Sequence, residues 1–212
     1  IDLQGNHNAT LAGTFNNTTP KNWELDKDAG ASVEFINFGD IETFNAITDF
    51  TFSIWFEFTS ISADHDIITK GTHNTTSPIL VWYDASVSGS ADVGDGNTAT
   101  ISFFVKDGSG LSHWVSAPSN SIVANQVYNL VVQADNNGFS KIWINGVEKV
   151  SNQKITFTGG IENNTDPLKL GAPDTGSHDS DMKIYAFHAY DKFLTDAQIT
   201  QNWNNLKDRF SL

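Results

Sequence analysis

FTFSIWFEF, residues 50–58, puts Phe50, Phe52, Ile54, Phe56 and Phe58 on one side of an extended chain. The intervening positions are Thr51, Ser53, Trp55 and Glu57. Successive side chains of a strand point to opposite faces, so this alternation reads as a β-strand with one face in a core. The other face should meet water, yet it carries a tryptophan. Either another element covers Trp55 or the ring is offered to a ligand, and packing under another element is the stronger expectation for any single ring.

Similar runs recur along the chain. Strands are predicted at Ala31–Phe38, Asp66–Lys70, Ile79–Tyr83, Thr100–Lys106, Ser112–Ser116 and Val127–Ala134. More follow at Phe139–Asn145, Val147–Val150, Leu168–Gly171 and Met182–Tyr190. Asp135-Asn136-Asn137-Gly138 and Asn145-Gly146 read as hairpin turns, because Asn and Gly accept the positive φ of a tight turn. One helix is written at the end: Thr195-Asp196-Ala197-Gln198 is a capping box. Ile199, Trp203 and Leu206 then form an apolar stripe that needs a bed to lie on. Many short strands with one helix predict an all-β chain: a two-sheet antiparallel sandwich with a C-terminal helix docked on it. No linker or break in composition divides residues 1–212, which are therefore read as a single domain.

The 212 residues are 39 % hydrophobic, and 15 Phe, 6 Trp and 4 Tyr supply a sizeable core. A formal net charge of −13 counts against nucleic acid and anionic membranes, both of which attract clustered Lys and Arg. With no cysteine, no disulfide or thiol chemistry is available. No apolar run reaches the roughly 18 residues of a membrane span, so no membrane insertion is expected.

Four stretches, in order, resemble the laminin-G-like, concanavalin-A-like lectin and glucanase jelly-roll family. DLQGNHNATLAG, residues 2–13, is similar to its opening D-x-S-G-N-G-N-x-G-x-L. FTFSIWFEF stands where the family has F-T-I-S-F-W-V. VYNLVVQADNNGFSKIWINGVEKV, 127–150, resembles its central hairpin, and MKIYAFHAYDKFLTDAQITQNW, 182–203, its closing strand and helix. Tyr128-Asn129 replaces the paired His of the central strand, and Tyr185-Ala186 the Asp-Glu of the last. The resemblance implies a jelly-roll sandwich. It does not imply one function, since this fold hosts lectins, adhesion modules, glycanases, lyases and virion proteins.

Glycanases of this fold carry E-x-D-x-x-E or a similar string, in which two carboxylates flank one bond. The nearest string is Asp40-Ile41-Glu42-Thr43-Phe44-Asn45. Its acids are exchanged and Asn45 takes the third place, so it reads as a strand-end loop and no catalytic residue is assigned. Calcium is a candidate cofactor because it takes several oxygen ligands from loops. Two loops offer them: Asp92, Asp95 and Asn97, and Asp174, Asp179 and Asp181.

A sugar site needs an aromatic face for the C–H side of a pyranose and polar groups for its hydroxyls. Alternation puts Trp55 and Trp143 on outer faces, and also His188 and Tyr190 if Tyr185, Phe187 and Ala189 point inward. Trp82, Tyr83, His113 and Trp114 are further candidates near strand ends. The reading is a non-catalytic recognition or attachment module, extracellular, at a cell surface or on a virion. Its expected partner is a glycan or cell-surface polysaccharide, with calcium as an assisting ion. The alternative is a structural protein, a virion decoration or fibre domain or an adhesin spacer, contacting neighbouring protein subunits. A polysaccharide-degrading enzyme is the third and weakest reading.

Overall fold

The computed structural model describes residues 8–13, 22–26, 33–72, 77–85, 99–137, 139–153, 159–171, 179–210 and 212. Phe50–Phe58 forms a single unbroken strand, β4. It follows the short strands β1 (Thr10–Ala12), β2 (Trp23–Leu25) and β3 (Phe35–Asn37). After it come β5 (His65–Lys70), β6 (Ile79–Asp84), β7 (Thr100–Lys106), β8 (Ser112–Ser116) and β9 (Tyr128–Ala134). The remainder are β10 (Phe139–Ile144), β11 (Val147–Gln153), β12 (Leu168–Leu170) and β13 (Met182–Tyr190). Helix α1, Asp196–Leu206, closes the chain with a 3₁₀ turn at Lys207–Phe210.

The strands make two antiparallel sheets, a seven-stranded one ordered β1-β3-β12-β5-β6-β7-β8 and a six-stranded one ordered β11-β10-β9-β4-β13-β2. Between them lies one apolar core, to which β4 contributes Phe50, Phe52, Ile54, Phe56 and Phe58. Leu130, Val132, Ile142 and Ile144 continue it from β9 and β10, and Ile79, Val81, Ile101 and Phe103 face them from the other sheet. The alternation in the sequence therefore identifies the core faces of β4 and β10. The expected architecture, an all-β sandwich with one docked helix, is the one observed. The sequence pattern did not announce β1 and β2. Three residues are too few to show a period, and these strands exist because β3 and β13 offer them edges to pair with.

One face differs from expectation. The odd side of β4 is not in water: Thr51 and Trp55 are at most 1 % exposed. Segment 192–195 and helix α1 lie across it. Thr51 Oγ1 donates to the carbonyl of Lys192 (2.9 Å) and accepts from the amide of Leu194 (3.1 Å). The Gln133 side-chain amide continues this line, with Nε2 donating to the Leu194 carbonyl at 2.9 Å and Oε1 accepting from Trp143 Nε1 at 3.0 Å. Each of these buried groups has a partner, and orphaning one would cost about 1–3 kcal/mol. The capping box forms as read: Thr195 Oγ1 accepts from the Gln198 amide and Gln198 Oε1 accepts from the Thr195 amide.

β13 also corrects the sequence reading at one position. Met182 and Ile184 enter the core, as does Phe187. A bulge between Ile184 and Ala186 puts Tyr185 on the outer face, beside Glu57, rather than inside. The extra residue resets the alternation, so His188 and Tyr190 still point outward, opposite Ser53 and Thr51.

The β10–β11 turn is shaped by the helix as well as by its own backbone. Asn145 and Gly146 have φ of +51° and +72°, the left-handed conformations of a tight hairpin. A Cβ on Gly146 would sit 2.5 Å from Cδ1 of Trp203. Gly146→Ala therefore meets both a left-handed backbone, which costs a side chain about 1–2 kcal/mol, and a packed indole. We expect a loss of roughly 2–4 kcal/mol in urea unfolding. A loss below about 0.5 kcal/mol would mean that Trp203 does not rest on this turn.

Candidate functional site

The four outward rings read from the sequence lie on one sheet, because β10, β4 and β13 all belong to the six-stranded one. Helix α1 divides them. Trp55 stacks on Trp203, centroids 5.4 Å apart and planes 5° from parallel, with Phe210 at 4.5 Å. Trp143 packs with Val131, Leu194 and Ile199 beneath the helix. Lys141 crosses its ring at 5.5 Å and pairs with Glu148 and with Asp196 at the start of α1. His188 and Tyr190, on the other side, stay at the surface and stack at 6.5 Å.

Between the helix and β13 the packing leaves a cleft of about 220 Å³. Val131, Leu194, Ile199 and Leu206 give it apolar walls, and the Trp55 ring lines it from β4. Ser53 and Asn129 supply polar groups from the sheet, Asn202 and Asn205 from the helix, and His188 and Tyr190 stand with them on the β13 side. Several of these groups are already oriented: Asn129 Nδ2 donates to Ser53 Oγ at 3.1 Å, and Asn202 Nδ2 to Tyr190 Oη at 3.4 Å. Partial desolvation of His188, which stays at the surface, shifts its imidazole below the ordinary range, and burial raises the Tyr190 phenol. Both groups are therefore neutral near pH 7. Chemically, the cleft offers apolar walls and the neighbouring His188 and Tyr190 rings to C–H groups, and uncharged donors and acceptors to hydroxyls.

Sequence reasoning singled out Trp55, His188 and Tyr190 but missed Ser53, Asn129, Asn202 and Asn205. The available signal for the last two was their position three apart on α1, beside the apolar stripe. The other predicted rings are elsewhere. Tyr83 is a core residue against Phe58 and His65, and burial, then Asp64 and Asp84, raise its phenol. His113 is buried on Asp107 at 3.3 Å. Trp82 is buried on the outer face of the seven-stranded sheet beside Leu80, Phe104 and the half-buried Trp114. These positions correct the expectation for Tyr83, His113, Trp82 and Trp143, none of which presents an open ring, and for Trp55, which lines the cleft but is 1 % exposed under Trp203 and Phe210.

The Asp40 string weighed for catalysis, and a Ser-Asp-His group that the structure assembles before β8, both have structural work. Asp107 Oδ1 accepts from Ser109 Oγ (2.7 Å) and Oδ2 meets His113 Nε2. The carboxylate sits between serine and histidine, whereas a nucleophilic serine needs the imidazole beside it as base. Asp40 is bound to Lys70, whose fully buried ammonium meets three acceptors: Asp40 Oδ1 at 3.0 Å and the carbonyls of Asn164 and Asp166 at 3.2 and 2.8 Å. Three donors meet three acceptors, which is what makes this burial tolerable. Of the calcium ligands, Asp92, Asp95, Asn97 and Asp174 lie outside the described residues. Asp179 and Asp181 lead into β13, and their carbonyls accept from the His65 ring at 3.1 Å and the Thr59 amide at 2.9 Å. Among the described residues no three His, Asp or Glu side chains come together to hold a metal. No metal step is derived from them.

The chain matches the model of the concanavalin A-like lectin/glucanases superfamily over residues 29–200, and it belongs to that family. A search of curated protein sequences found no match. Among solved structures, similar folds occur in botulinum neurotoxin binding domains. One comes from work on type C, whose cell entry depends on interaction with two ganglioside molecules (19 % identity, TM-score 0.70). Others are the serotype D binding domain (15 %, 0.68) and the binding domain of neurotoxin DC in complex with rat synaptotagmin II (18 %, 0.68). Each alignment covers 97 % of this chain and 48 % of the toxin chain, so the chain spans about half of each relative. At these identities the likeness is one of fold.

The Lys70 cluster makes a pH prediction. The hydrogen bond from Lys70 holds the Asp40 carboxyl below its ordinary 3.8. A carboxylate lowered in the folded state contributes stability that is present above its unfolded value and is lost as pH falls through the folded one. Asp40→Asn should cost roughly 3 kcal/mol at pH 7, by stranding a buried ammonium. It should also flatten the loss of stability below pH 3.8. Urea unfolding across pH 2–7 checks both; equal acid slopes in the two proteins would remove Asp40 from the account.

Proposed function

We propose that this chain is a non-catalytic recognition or attachment module that binds carbohydrate at a cell surface or in a matrix. Residues 1–212 act as one unit, in an extracellular, cell-surface or virion setting. The observation that carries the reading is the cleft beneath α1, where Trp55, His188 and Tyr190 meet Ser53, Asn129, Asn202 and Asn205. Apolar walls beside neutral hydrogen-bonding groups are what a pyranose presents in complement. Membership of a lectin and glucanase superfamily supports this, as does a shared fold with part of a toxin whose cell entry depends on interaction with gangliosides. The alternative, a structural protein that contacts other protein subunits, draws on the shared fold with a domain that binds synaptotagmin II. No helix among the described residues is long and apolar enough to cross a membrane.

A glycan array tests the first reading. The protein should give reproducible hits, and Tyr190→Ala should weaken them about tenfold, the loss of one ring contact of about 1.4 kcal/mol. An array without hits, beside a defined oligomer in solution, would favour the structural alternative. Calcium assistance is a separate proposal of the same reading. It would rest on Asp174, Asp179 and Asp181 or on Asp92, Asp95 and Asn97, since calcium takes oxygen ligands. Chelation with EDTA should then reduce the array signal and the thermal midpoint together, and calcium should restore both. Unchanged values in EDTA would remove calcium from the proposal.

A further inference from the structure

We infer that the cleft between α1 and β13 takes one uncharged pyranose, inserted end-on as the terminal sugar of a glycan; this rests on the carbohydrate reading above and narrows it. Size is the first argument. A volume of about 220 Å³ equals roughly seven waters at ~30 Å³ each. That is less than the ~300–1,000 Å³ of sites that enclose drug-sized molecules. One six-membered ring with its substituents fills it, and a run of internal sugars does not.

Charge is the second argument. The cleft is lined by amide, hydroxyl, imidazole and phenol groups together with apolar side chains, and no Asp, Glu, Lys or Arg lines it. Fixed charges elsewhere on the same face pair among themselves: Glu57 with Lys183 at 3.0 Å, Glu57 also accepting from Tyr185 Oη at 2.8 Å, and Lys141 with Glu148 and Asp196 at 2.9 and 3.1 Å. A carboxylated sugar would lose its hydration without gaining a counter-ion, a penalty of several kcal/mol for a buried ion. The net charge of −13 adds repulsion at longer range.

Shape gives the direction of entry. The indole of Trp55 is shut behind Trp203 and Phe210, so a chain cannot pass through beneath the helix. His188 and Asn205 are exposed, and Tyr190 and Asn202 are half-buried. The opening therefore lies along β13, where a second sugar outside the cleft would meet the stacked His188 and Tyr190 rings.

The test is a titration of the intact chain, observed by NMR, with a panel of monosaccharides. Methyl glucoside, methyl galactoside, N-acetylglucosamine and N-acetylgalactosamine are the uncharged probes; glucuronate and N-acetylneuraminate are the acidic ones. At least one uncharged probe should bind, shift the Trp55 indole signal, and bind at least about tenfold more tightly than either acid. Asn205→Lys, a change at an exposed helix position, should narrow that gap by improving the acids. Equal binding of an acidic probe, or binding that leaves Trp55 unmoved, overturns the inference. So does an array-positive protein that ignores every monosaccharide and binds only longer chains, a result that leaves the carbohydrate reading standing. Silence of both the panel and the array removes the two together.

Discussion

The outer face of the six-stranded sheet carries Trp55, Val131 and Trp143, and it cannot be left in water without a large exposed apolar patch. Helix α1 resolves this by laying Ile199 and Trp203 over it. The parallel contact of Trp55 and Trp203 is worth about 0.5–1.5 kcal/mol beyond the area it buries. Much else is arranged around that contact. Gly146 has no side chain where the Trp203 indole rests. Thr51, Gln133 and Trp143 form a line of hydrogen bonds that fixes segment 192–195 as it enters the helix.

The cleft is a by-product of the same docking. A single helix, about 10–12 Å across, is narrower than the six-stranded face it covers, and it is seated toward the β10 side by Trp203 on the Asn145–Gly146 turn and by Lys141 near its start. The β13 side is left partly open, with His188 and Tyr190 beside the gap. Both walls come from regular elements, and the pairs Asn129–Ser53 and Asn202–Tyr190 are oriented before any ligand arrives. Preorganisation of this kind lowers the ordering cost of binding.

The acids most suggestive of chemistry are occupied by the scaffold. Asp40 neutralises Lys70 in the interior, and Asp107 organises the turn before β8 through Ser109, Leu111 and His113. In each case a short polar group supports a loop or strand end. The arrangement that points to function contains no charged group.

The sequence by itself determined the two-sheet class, the extents of β4, β7, β8 and β13, the core face of β4 and the capping box of α1. These follow from local periodicity and cap chemistry, which act over a few residues. It also placed Trp55, Trp143, His188 and Tyr190 outward. Only the tertiary structure decided which of them keep an opening, because that depends on where the helix settles relative to strands some 50 to 150 residues earlier in the chain. The bulge at Tyr185, the burial of Lys70 and the recruitment of Asn202 and Asn205 to one cleft have the same origin. Each is a contact between distant segments, and no local pattern encodes such a contact.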